Sequence, residues 1–96
     1  MSYKNKLSFQ EMDHVNMFVQ YSYPNLSIVK ILAEKWKQPP RKEGGDMQKA
    51  TLALLKSTGD VSLFHKLSAG EYACYMDTIS DPSFDGWILI VTVYEK

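Results

Sequence analysis

The chain has 96 residues, 45% of them hydrophobic and 23% charged, and its eleven basic and eleven acidic side chains cancel to a formal net charge of zero. That length supplies one globular domain, residues 1–96, and the composition excludes an intrinsically disordered chain. One cysteine, Cys74, excludes an internal disulfide and fits a reducing compartment, no apolar run approaches the ~20 residues that cross a bilayer, and "MSYKNKLSFQ" lacks the apolar centre of a signal peptide, so a cytoplasmic location without a membrane partner is expected.

The elements follow in chain order. Ser8 and Glu11 form an S-x-x-E capping box, Leu7 and Met12 stand where a hydrophobic staple would close, and Met12, Val15 and Val19 with Phe18 continue as a helical stripe. Pro24 restricts Tyr23 and ends this helix near Gln20–Ser22. A second helix is predicted from about Asn25, on the stripe Val29, Leu32 and Trp36 widened by Ile28 and Ile31, capped by Asn25 or Ser27 and stopped by Pro39-Pro40. After Gly44-Gly45, Asp46 is placed as the N-cap of a third helix, "MQKATLALLKST", with Gly59 as its left-handed C-terminal cap.

Beyond Gly59 the period shifts toward two. "VSLFHKL" alternates Val61, Leu63, His65 and Leu67 as a strand, whereas a helix capped by Asp60 would align Leu63, Phe64 and Leu67; the strand is favoured, because "SAG" then closes a hairpin onto "EYACYM". "EYACYMDTI" alternates as a strand, "SDPSFDG" is a turn cluster, and "WILIVTVY" is apolar on both faces, which places it centrally or beneath a helix. The expected fold class is α+β, with three N-terminal helices packed on a small C-terminal antiparallel sheet of two or three strands.

Charge is unevenly spread. Residues 30–56 carry seven basic and three acidic residues, a balance of +4, and residues 57–96 carry two basic and six acidic residues, a balance of −4. The basic cluster Lys35, Lys37, Arg41, Lys42 and Lys49 encloses Trp36, the mixture that backbone contact plus base stacking would use, and three helices before a hairpin is the element order of a winged helix-turn-helix. This gives the alternative reading, a DNA- or RNA-binding regulator. Against it stand an eight-residue join where the DNA-reading motif has about three or four, a pI near 6.7, and the phase of Trp36 with Leu32 and Val29, which makes it core. "EGGD" lacks the G-x-x-x-x-G-K-[ST] pattern, and Asp46 would repel a phosphate held there.

Chemistry-bearing constellations are sparse. His14 and His65 lie on separate elements, and Cys74 inside a strand reads as a small buried hydrophobe. Asp77, Asp81 and Asp85 lack the D-x-D-x-D-G calcium pattern, and "NLS" at Asn25–Ser27 is a sequon without a signal peptide. Neither enzyme activity nor a cofactor or metal is expected. The surplus is aromatic: Tyr3, Tyr21, Tyr23, Tyr72, Tyr75, Tyr94, Trp36 and Trp87 exceed what so small a core buries, and such side chains anchor protein interfaces. The acidic loop around Phe84, with Asp77, Asp81 and Asp85 and the neighbouring Tyr72 and Tyr75, is the candidate partner-binding site; the plainer reading folds Phe84 back onto the sheet. The chain is expected to be a small non-enzymatic protein-binding module, an inhibitor or regulatory adaptor, and the +4/−4 split also permits a homodimer that pairs basic middle with acidic end.

Overall fold

The computed structural model describes residues 7–41, 43–80 and 86–96. They form α1 (Phe9–Ser22), β1 (Ser27–Trp36), a short 3₁₀ turn (Glu43–Gly45), α2 (Asp46–Ser57), α3 (Val61–Ser68), β2 (Tyr72–Ser80) and β3 (Trp87–Glu95). The sheet order is β1-β3-β2, with β3 antiparallel to both neighbours.

The "WILIVTVY" run therefore occupies the centre, as its two apolar faces require. Ile88 to Val93 are all 0% exposed. Alternation sends Leu89, Val91 and Val93 to one face, where they join Met47, Ala50, Leu54 and Leu55 of α2 and Leu63 of α3. Ile88 and Ile90 point the other way and meet Val15 and Val19 of α1. The result is an α+β domain of three layers, α1 on one side of the sheet and α2 with α3 on the other.

α1 begins as its local signals dictate. The Ser8 Oγ accepts from the Glu11 N–H at 3.3 Å, and the Ser8 N–H donates to Glu11 Oε2 at 2.7 Å. The expected second helix is instead β1. Its helical stripe coincides with an equally good period of two, and Ile28, Val29 and Ile31 are β-branched. What decides is non-local: β3 needs a bonded neighbour on each edge, and β1 supplies one from Ser27↔Glu95 to Trp36↔Trp87. A bulge at Val29, between Ile28 and Lys30, keeps both Ile28 and Ile31 on the α1 face.

The second correction is α3. Segment 61–68 is helical rather than a strand, because the Asp60 carboxylate caps it by accepting from the Leu63 N–H at 3.0 Å and the helix turns Leu63, Phe64 and Leu67 together onto the core. The "SAG" hairpin does not form, and β2 pairs with β3 instead. Thus helices and strands interleave rather than segregate, and the winged-helix element order is lost. Gly45, not Asp46, takes the N-cap position of α2, and the Asp46 carboxylate accepts from Arg41 Nε at 3.1 Å instead. Gly59 is left-handed (φ +67°) just past Thr58, as anticipated.

Gly86, which leads into β3, lies close against the backbone at the end of β1. Its φ is +130°, and a Cβ there would overlap the Trp36 carbonyl oxygen at the end of β1. Both the dihedral and the space therefore exclude a side chain. Gly86→Ala is expected to lower unfolding stability by more than ~2 kcal/mol in urea denaturation, with a loss below ~0.5 kcal/mol contradicting this account.

Candidate protein-binding surface

α1 turns one face to the sheet and leaves the other bare. Val15 and Val19 are fully buried, and residues two positions on lie about 200° around the helix. Met17 (71% exposed) and Tyr21 (91%) accordingly point outward, as does Phe9 (91%) on the first turn. His14, Met17, Phe18 and Tyr21 line a shallow cleft of about 290 Å³ on this helix.

Beside α1, on the same side of the sheet, three tyrosines stack. Tyr23 follows the last turn of α1, where its N–H caps the Val19 carbonyl at 2.9 Å. Its ring lies parallel to that of Tyr75, with centroids 5.0 Å apart and planes 4° apart. Tyr75 stacks in turn on Tyr94, again at 5.0 Å, with planes at 15°. Tyr75 and Tyr94 are diagonal neighbours on β2 and β3, since Tyr75 pairs with Thr92 and Ala73 with Tyr94. Tyr75, in the middle, remains 43% exposed. The Tyr23 hydroxyl donates to Asp77 Oδ2, two residues along the same face of β2. That hydrogen bond, with burial adding to it, pushes the Tyr23 phenol up to about 12. Asp77 thus fixes the column rather than standing as a free surface charge.

Of the residues selected from sequence, the structure brings Tyr75 and Asp77 together. Tyr72 faces the opposite side of β2, packed against the α2/α3 core, with Lys66 Nζ 6.0 Å from its ring centroid. An odd separation along a strand puts Tyr72 and Tyr75 on opposite faces, so they do not form one site. Phe84, Asp81 and Asp85 lie outside the described residues.

The basic cluster is dispersed by the same period of two. Lys35 faces α1, where its Nζ meets Glu11 Oε1 at 2.7 Å, while Trp36 faces the other way and packs against the α2/α3 core. The bond from Lys35, reinforced by the Ser8 N–H, holds the Glu11 carboxyl below its ordinary range. Arg41 is paired with Asp46. Lys37 is exposed just past β1, Lys49 sits on α2, and Lys42 lies outside the described residues. Trp36, Pro39, Pro40, Arg41 and Lys49 do border an open cleft of about 450 Å³, but its aromatic wall belongs to a core residue.

His14 and His65 are exposed on different helices. Burial pushes the Cys74 thiol up, away from the thiolate a nucleophile requires. Among the described residues no three His, Cys, Asp or Glu side chains gather as metal ligands, and no helix is long and apolar enough to cross a membrane. The tyrosine column was missed from sequence because Tyr23 lies 54 positions before Asp77. Its one sequence signal was the abundance of tyrosine itself.

No protein-family model, curated protein or solved structure matches this chain.

The Tyr23 assignment has a spectroscopic consequence. Tyrosinate absorbance should show one phenol titrating near 12, and Asp77→Asn should bring it back toward the ordinary 10. The folded pKa is raised, so this contact contributes fully below pH ~10 and its stabilisation is lost as pH rises from ~10 to ~12. A Tyr23 phenol that titrates at the ordinary 10 would contradict the contact.

Proposed function

We propose that this chain is a small non-enzymatic protein-binding module, acting as an inhibitor or regulatory adaptor through the surface shared by α1 and the tyrosine column. The observation that carries the reading is the concentration of exposed large side chains there. Phe9, Met17, Tyr21 and Tyr75, four of the seven exposed large hydrophobic residues described, belong to α1 or to the α1 face of β2. Tyrosine supplies contact area at small ordering cost, methionine adapts its shape to a partner, and stacking prepositions the Tyr75 ring. Asp77 serves this surface indirectly, by holding the Tyr23 ring that stacks on Tyr75.

The nucleic-acid reading is weakened by the pairing of Lys35 with Glu11 and of Arg41 with Asp46, and by the packing of Trp36 on the sheet face opposite Lys35. Binding through cations would fall steeply with salt; binding through this surface should not.

The test is a tagged pull-down with and without nuclease, run in parallel with the double variant Met17→Ser/Tyr21→Ser. Both residues are exposed. The variant should therefore melt within a few degrees of the parent, while a stoichiometric protein band that survives nuclease weakens by at least ~tenfold. A band that vanishes with nuclease, or one indifferent to the double variant, contradicts the proposal.

A further inference from the structure

Among the described residues the three-stranded sheet has two open edges, and they are built differently. The β1 edge carries the bulge at Val29, a device that discourages pairing with another chain. The β2 edge, "YACYMDTIS", is nine residues of unbroken register with no proline, glycine, lysine or arginine. Its one charge, Asp77, is engaged by the Tyr23 hydroxyl. Among the described residues, the β2 backbone hydrogen-bonds to β3 and to nothing else. Half of its backbone donors and acceptors face outward, and what satisfies such a row is another extended strand.

We propose that this edge pairs with the same edge of a second copy of the chain, antiparallel about a two-fold axis at Met76, joining two sheets in the order β1-β3-β2-β2-β3-β1. The sequence of β2 favours this register. An axis at Met76, the central residue of β2, overlaps the strand along its whole length. It sets Tyr75 opposite Asp77 of the second copy, Cys74 opposite Thr78, and Ala73 opposite Ile79, with no like charges facing. An axis at Asp77 would oppose the two carboxylates directly, a destabilising pair.

The helices also leave room. α3 lies at the Tyr72 end of β2, where Lys66 Nζ sits over the Tyr72 ring and the Glu71 N–H bonds the Lys66 carbonyl at 3.0 Å. The antiparallel two-fold places the second α3 at the far end, about 27 Å away along the strands, so the two helices do not compete for space. On the opposite face the half-exposed Tyr75 gains a cross-strand neighbour. A pairing of β2 with β1 of the next copy would be head-to-tail and open-ended, whereas β2 with β2 closes as a dimer. The dimer goes beyond the binding function and does not depend on it; it would present two copies of the α1 surface.

Sedimentation equilibrium from micromolar to millimolar chain should approach twice the 11.0 kDa monomer mass. A sample mixing isotope-labelled and unlabelled chains should give intermolecular NOEs between Tyr75 of one copy and Asp77 of the other. Tyr75→Asp, which opposes carboxylates twice across the axis, should raise the dimer dissociation constant at least ~tenfold. A monomer throughout the concentration range overturns the proposal. So does a dimer whose intermolecular NOEs fall at Met17 and Tyr21 of α1 instead of β2. The NOE measurement uses the unaltered chain and stands even if Tyr75→Asp fails to fold.

Discussion

β3 is buried on both faces along six consecutive residues, Ile88 to Val93, and this double burial sets what every other element must do. A strand with no wet face needs apolar cover above and below and a bonded neighbour on each edge, because any backbone group left unpaired there is also cut off from water. α1 covers one face with Val15 and Val19; α2 and α3 cover the other with Met47, Ala50, Leu54, Leu55 and Leu63. β1 and β2 satisfy the two edges.

The same constraint creates the surface. One helix does not span three strands, so α1, which packs toward β1, leaves the β2 side of its face to be finished by side chains. Tyr23, Tyr75 and Tyr94 do this by stacking face to face, with the Tyr23 hydroxyl anchored on Asp77. Rings suit the task because each is apolar enough to close the core and carries a polar tip that tolerates water. Stacking on both sides holds the Tyr75 ring in place although it stays 43% exposed.

What the sequence revealed divides along the line between local and non-local causes. α1 was legible because Ser8 and Glu11 cap it within three residues of each other. β3 was legible as central because its apolar run leaves no polar face. β1 was not: "SIVKILAEKW" satisfies helical and strand periods alike, and the need of β3 for a second edge partner is written some sixty positions later. The α3 segment carried its own answer in Asp60, whose cap outweighed an accidental alternation. The shared face of Tyr75 and Asp77 was legible from their spacing of two on one strand. Grouping Tyr72 with them ignored the parity that separates faces, and the same parity split Lys35 from Trp36.

The most direct test of this account is residue-resolved hydrogen exchange under native conditions. In a central strand every amide is bonded to one neighbour or the other, whereas on an edge alternate amides face outward. Consecutive amides of Ile88 to Val93 should be uniformly slow, set by global unfolding, while Lys30 to Lys35 of β1 should alternate between slow and fast. Uniform protection through β1, the pattern of a helix, or alternation within β3, the pattern of an edge, would contradict the claim that one strand buried on both faces organises the molecule.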